Sequence, residues 1–459
     1  MSSGHAKGGR SSSSGYPGAD AIRAAVERRA DEILEWIKTV IRFPSENRPP
    51  TGGEAELQEF LAEECRRAGW EVDLFAPDEI PGIEEHPYWL SGREYSGANG
   101  SGSRRNLVAT WKGRGSRETE RGRSAGPGGR SLLFSSHADV APFEPDNWQV
   151  CRPYEPVLQE GRLYGRGSAD LKGGMAASFW ALKILGELGF EPAADLLFES
   201  VVDEEFASGN GTLAARLKGY NGDLAVVTEP TRMQICPACM GAFLGDLTLR
   251  GKAGMPYLGE EIANPIFGAG RAIDLFRRWQ NLWRKRNDHP LFREPGKELN
   301  VVLWMIDSKK EGEFTQMGTP LLTRISWIVW CYPGMSEEEF WNQFRRYWRE
   351  AAEREPDLKA FALELTPTFH YVRPWETPVG DPAVQQVLQA FRTYTGDEPV
   401  VGGAPFSCDL GLYGDPGGMP CLLLGPRGDN VHAPDEWVLL EDVYALTGVF
   451  AELAARWSG

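Results

Sequence analysis

At 459 residues, 41% hydrophobic and 25% charged, the chain has ordinary globular composition and length for two or three domains. A formal net charge of −16 argues against a nucleic-acid partner or an anionic membrane surface, since both need a basic face. No apolar run approaches the ~18–20 residues of a membrane span. Seven cysteines without framework spacing fit reduced thiols, so a cytoplasmic protein is expected.

Residues 1–18 have no apolar core and read as a disordered tail. From Ala19, "AIRAAVERRADEILEWIKTVIRF" places Ile22, Val26, Ile33, Trp36, Ile37 and Ile41 near one helical stripe. The amphipathic helix "EAELQEFLAEECRRAGW" leads into the short strand "EVDLFAP". "NLVATWKG" (106–113) is strand-like, and "RGSRETERGRSAGPGGR" reads as a surface insertion with solvated charges. Then the rhythm becomes strand, loop, helix. "SLLFSS" (131–136), "DLLFESVV", "DLAVVTE" and "PCLLLGP" (420–426) are apolar strands, and "GGMAASFWALKILGELGF" (173–190) is a helix ending at a glycine. Continuous apolar strands between helices predict an α/β fold, a sheet with helices on both faces.

Between 241 and 371 the pattern changes. "FLGDLTLRGKA" and "RISWIVWCY" read as strands, "AGRAIDLFRRWQNLWRKR" and "SEEEFWNQFRRYWREAAER" as helices. This predicts an α+β unit inserted into a domain built from 19–240 and 372–459. Cys236 and Cys239 form a C-x-x-C with no second pair, too little for a zinc or redox motif.

Polar residues gather just beyond the strand ends, where open α/β sheets place their sites. They are His137 and Asp139 in "SSHADVAP", Asp170 in "GRGSADLKGG", the acid run of Asp203, Glu204 and Glu205, Glu229 in "VVTEPT", and His432 in "GPRGDNVHAPDE". Singly, each has a bland reading as a loop pair, helix cap or turn residue. Jointly, two imidazoles and several carboxylates at one sheet edge suit a divalent cation such as Zn²⁺, Mn²⁺ or Co²⁺. A cation also relieves the repulsion within "DEE". Asp139 is expected to accept the second ring N–H of His137.

These motifs, in order from Ala19 to Trp457, resemble the metallopeptidase family of acetylornithine deacetylase, succinyl-diaminopimelate desuccinylase, aminoacylase and glutamate carboxypeptidase. The resemblance implies two divalent cations: His137 and Glu229 hold one, Glu205 and His432 the other, and Asp170 bridges them. It implies Glu204 as general base, close to the cations but not a ligand, with Asp203 supporting the loop. It also makes 241–371 a lid and dimerisation domain, so a homodimer or higher homo-oligomer is expected.

The pattern departs from the family in the lid. The resemblance implies a histidine in a "GKAAH" context that donates to the developing oxyanion; this chain has "GKAGMPYLGEE", with Met255 at that place. His289 and His370 are the lid histidines, and each reads more simply as structural. Trp330 stands where the family's lid arginine would fall, leaving Arg324, Arg373 and Arg427 to meet a substrate carboxylate. Seven of the sixteen tryptophans lie in the lid, as core and interface packing or as a pocket for a flat aromatic substrate. The leading expectation is hydrolysis of a C–N bond in a small carboxylate-bearing molecule, as in an N-acyl amino acid deacylase or desuccinylase. Hydrolytic deamination of an electron-poor aromatic amine, as by 5-nitroanthranilic acid aminohydrolase, is the second. A non-catalytic small-molecule-binding protein on the same fold is the third.

Overall fold

A computed structural model describes residues 16–95, 103–115, 129–143, 147–206, 209–252, 262–308, 319–369 and 371–459. The segments Leu132–His137, Leu196–Val201 and Leu224–Val227 are buried at every position, which is why they are apolar throughout rather than alternating. With Cys421–Leu423 they form four adjacent parallel strands, ordered 421–423, 224–227, 132–137, 196–201. Antiparallel strands extend this core, Asn106–Trp111 and Glu71–Phe75 on one flank and Ile235–Cys239 and Trp375–Glu376 on the other. Val401–Ala404 pairs with 235–239 and completes the nine-stranded sheet.

Both faces of the sheet are covered. Leu132 and Phe134 pack into a core with the helices Ala19–Ile41, Gly173–Glu187, Pro382–Thr395 and Leu440–Trp457. Leu133 points the other way, to a second core with Leu213 of the helix Asn210–Leu217 and Tyr413. The predicted stripe of the first helix is buried, and Trp36 stacks on Phe179 at 4.9 Å. Side chains buried this fully contribute about 1.5–3 kcal/mol each.

Two short strands escaped the sequence reading because neither is apolar and β-branched enough. "ICPAC" (235–239) contains a proline, and "VGGA" (401–404) two glycines. Gly403 is needed there, since a Cβ would lie 2.2 Å from the Phe292 ring. A separate four-stranded sheet of 428–429, 437–439, 162–164 and 157–159 was also missed, its strands being too short to show a period.

The inserted unit has its own antiparallel sheet, ordered Val301–Asp307, Leu322–Cys331, Gly241–Arg250, Ala362–Pro367. The helices Pro265–Arg286 and Glu337–Arg354 pack on one side of it. Trp279, Trp283, Trp327, Trp341 and Trp348 are buried in that separate core with Phe243, Phe340 and Phe344. Trp330 is half-buried, and only Trp304 is exposed, at 54%. Five of the seven tryptophans of the inserted unit therefore pack its core. The two chain crossings run side by side, with Ala242 and Val372 exchanging backbone hydrogen bonds of 2.9 and 3.1 Å. Among the described residues no helix is long and apolar enough to cross a membrane. All seven cysteines are free and six are buried.

Candidate metal centre

Because the four central strands are parallel, their C-terminal ends share one edge of the sheet. His137 ends its strand, Asp203–Glu205 follow 196–201, Glu229 follows 224–227, and the loop after 421–423 carries His432. Asp170 enters from the turn before the helix Gly173–Glu187. The sequence scatters these residues over nearly 300 positions, and the topology gathers them.

His137 Nε2 lies 3.0 Å from Asp170 Oδ1 and 3.9 Å from both Glu204 Oε2 and Glu229 Oε1. His432 Nε2 lies 2.6 Å from Glu205 Oε2 and 3.3 Å from Asp170 Oδ2. Two donor groups result, His137–Glu204–Glu229 and His137–Asp170–Glu205, each with one atom per residue inside a 4.8 Å span. Ligand bonds of about 2.0–2.2 Å in a tetrahedral set put neighbouring donors roughly 3.4 Å apart. The observed separations bracket that value, and nitrogen with carboxylate oxygen suits Zn²⁺, Mn²⁺ or Co²⁺. Asp170 offers one oxygen to each imidazole, as a bridging ligand would.

The supporting shell differs from expectation at Asp139. His137 Nδ1 lies 2.8 Å from the backbone carbonyl of Asp139, while the nearer carboxylate oxygen is 3.7 Å away. A carbonyl only accepts, so Nδ1 carries the proton and Nε2 faces the site. The Asp139 carboxylate is occupied elsewhere: Oδ2 accepts from Asn47 Nδ2 at 2.8 Å, Glu204 N at 2.9 Å and Glu205 N at 3.0 Å. It fixes the backbone of the two glutamates rather than the histidine ring.

Glu436 does the same for Asp170. Fully buried, it accepts from Arg166 Nη1 at 2.7 Å and from the amides of Gly167, Ala169 and Asp170 at 2.9, 3.0 and 3.1 Å. Asp409, which accepts from Thr212 Oγ1 at 2.5 Å, adds a further buried carboxylate. Asn47, Glu436 and Asp409 were not assigned from the sequence. Glu436 lies inside the "HAPDE" motif, but Asn47, in the two-residue strand Asn47–Arg48, and Asp409 sit in segments with no distinguishing pattern.

Electrostatics express the crowding. Burial first, then the charge of Asp409, pushes the Glu204 carboxyl well above its ordinary range. Burial and then the Asp170 charge raise Glu205 and Glu229. Burial alone would lower the two histidines; the Glu205 charge and the Asp170 hydrogen bond instead push His432 up to about 11. The Asp170 hydrogen bond, with Glu204 and Glu229, holds His137 well above its usual value. The carboxylates thus hold onto positive charge wherever it is offered, as a cation site should.

The remaining candidates lie apart from this cluster. His289 Nε2 is 3.0 Å from Glu376, and its Nδ1 accepts from Leu291 N, so it ties the inserted unit to the strand Trp375–Glu376. Arg373 donates to Asp415 at 2.5 Å and stacks over Tyr88. Arg427 is taken up by Asp442 and Glu441. Arg324, on the lid sheet, lies 3.6 Å from Asp307 and 3.9 Å from Asp246. Met255 and His370 fall outside the described residues.

Comparison with known proteins places this geometry. Peptidase family M20/M25/M40 matches residues 133–456, and the chain belongs to that family. It is 24% identical over 465 residues to the N-formyl-4-amino-5-aminomethyl-2-methylpyrimidine deformylase of Halalkalibacterium halodurans, covering 95% of this chain and 97% of the relative. It is 27% identical over 341 residues to the succinyl-diaminopimelate desuccinylase of Methylobacterium radiotolerans, covering 72% of this chain and 81% of that one. The solved structure of a dipeptidase from Saccharomyces cerevisiae shares the fold, with a TM-score of 0.70, 13% identity and coverage of 97% and 99%. The chain is a metal-dependent hydrolase of carbon–nitrogen bonds other than standard internal peptide bonds.

Proposed function

We propose that this enzyme removes a short acyl group from the nitrogen of a small amine, with Glu204 as general base. The observation that carries the reading is the divergence of two neighbouring acids. Glu205 lies 2.6 Å from His432, whereas Glu204 turns to the other side of the site, 3.9 Å from His137 as Glu229 is, although Asp139 holds the amides of both acids. His137, Glu229, Asp170, Glu205 and His432 would hold two cations, which supply an acidified water and a polarised acyl carbonyl. Glu204 takes the proton of the attacking water and returns it to the departing nitrogen, so C–N cleavage yields a free amine and a carboxylic acid. Asp139 and Glu436 keep Glu204 and Asp170 in register for that transfer.

Support for an acylated amine comes from the relative matched over 95% of this chain, a deformylase. Arg324, Arg373 and Arg427 each face protein carboxylates, which favours a substrate that needs no arginine clamp over an N-acyl amino acid. The deaminase reading drew on the lid aromatics and on the missing lid histidine, and the burial of five of the seven lid tryptophans in the core weakens the first of these. A panel tests the proposal: metal-replete protein with N-formyl and N-acetyl aminomethylpyrimidines, N-acyl amino acids and electron-poor aminobenzoates. Amide hydrolysis, fastest on the N-formyl amines, is the expected result. Turnover of the aminobenzoates alone would sink it.

We also propose that two chains associate through the lid. Val301–Asp307 is an edge strand whose Val302, Trp304 and Ile306 are 39, 54 and 51% exposed. An apolar edge of this kind is a template for pairing, and a second copy would cover it.

A further inference from the structure

Behind the "DEE" run lies a buried set of charges that neither holds a cation nor moves a proton in the reading above. Asp203 lies two residues past the strand Leu196–Val201 with φ at +65°, in the left-handed region that non-glycine residues seldom enter. Its fully buried carboxylate accepts from Tyr95 Oη at 2.7 Å, Asn47 Nδ2 at 3.0 Å and Arg104 Nη2 at 3.2 Å, and lies 3.6 Å from Arg93 Nε. Arg104 is itself buried and also donates to Glu54, at 2.6 Å from Nη2 and 2.9 Å from Nε. Asn47 spans the gap from Asp203 to Asp139, whose same oxygen holds the amides of Glu204 and Glu205. The turn is therefore gripped on both sides, by a side-chain anchor before it and by amide contacts within it.

Buried ion pairs are costly to desolvate and are seldom the most stable filling for a core; what they add is direction. The direction at stake here is that of Glu204. The Glu205 carboxylate has anchors of its own, accepting from Ala141 N at 2.9 Å and lying against His432. Glu204 is aimed through its backbone, which inherits the left-handed turn at Asp203.

We infer that Arg104 and Asp203 are positioning residues for Glu204: the Glu54–Arg104–Asp203 chain sets the turn that points the base at the His137 side of the site. The inference rests on the general-base reading of Glu204. Asp203→Asn tolerates the left-handed backbone but loses the charge that Arg104 holds; Arg104→Lys keeps a charge but loses the fork. Each is expected to lower kcat roughly 10–100-fold, as small misplacements of a reacting group do, with KM within about twofold. Bound metal and the absorption spectrum of the Co²⁺-substituted protein should stay as in wild type. The double variant should be no slower than the slower single one, because both act through one turn. Wild-type kcat in either single variant, losses that multiply in the double, or a kcat that falls in step with metal content would overturn the inference. Crystal structures of wild type and Asp203→Asn keep the outcome separate from that of the proposed function. Should wild type hydrolyse no amide, a Glu204 carboxylate turned from His137 in the variant still supports positioning, and an unmoved one refutes it.

Discussion

Asp139 grips Glu204 and not the ring of His137: its Oδ2 accepts the Glu204 amide at 2.9 Å, while the imidazole takes the Asp139 backbone carbonyl instead. One carboxylate thereby orders the loop that carries Glu204 and Glu205, the proposed base and a proposed ligand. Replacing Asp139 by Ala would strand three buried donors, each costing about 1–3 kcal/mol. The expected outcome is a lowered Tm together with a kcat loss, read by calorimetry and initial rates. A variant that keeps wild-type Tm would show that water or another acceptor replaces the carboxylate.

Glu436 plays the matching part for Asp170, accepting from Arg166 and from the amides of Gly167, Ala169 and Asp170. Glu436→Gln should loosen Asp170, the proposed bridging ligand, and weaken metal affinity by roughly 10–100-fold, the usual effect of losing an outer-shell partner. Competition with a chelator measures this. Affinity equal to wild type would make Glu436 a fold residue only.

Cation binding should release protons. Neighbouring carboxylates hold His432 protonated up to about 11 and keep His137 well above its ordinary value, and both imidazoles must be neutral to ligate. The sign follows directly. The lower the pH, the more firmly these protons compete, so metal affinity rises with pH through neutrality. Calorimetric titration of chelator-treated protein with Zn²⁺ in buffers of different ionisation enthalpy should show proton release. Buffer-independent heats and an affinity unchanged between about pH 6 and 8 would contradict it.

Trp304→Asp and Ile306→Lys place charges on the exposed edge strand. If that edge joins two chains, either variant sediments as a monomer while wild type does not, with Tm nearly unchanged. Identical sedimentation of all three would remove the lid edge from the interface.

How much of this was legible in the sequence depended on the length of the signal. Leu132–His137, Leu196–Val201 and Leu224–Val227 announce themselves because burial on both faces makes them apolar at every position. Most of the candidate polar residues were legible because they sit at or just beyond strand ends, while their roles as ligands came from the family resemblance. The short strands 235–239 and 401–404 gave no such signal, their proline and glycines being set by packing against distant residues. Asp139 shows the limit of motif reading. A His-x-Asp spacing suggests a ring contact, but the contact formed depends on where Asn47 and the 204–205 amides lie, and these come from remote segments. The tryptophans of 241–371 were legible as packing residues or as a pocket, and only the tertiary fold decides between the two, burying five of the seven in the core.

The division of labour within "DEE" is tested most directly by metal content and turnover of one variant, Glu204→Gln. Gln keeps the shape of the side chain and its Asp139-held backbone but cannot take a proton. The account predicts a metal content equal to wild type with kcat reduced by about 10²–10⁴-fold. Loss of a metal equivalent would make Glu204 a ligand, and turnover near wild type would mean that another group moves the proton.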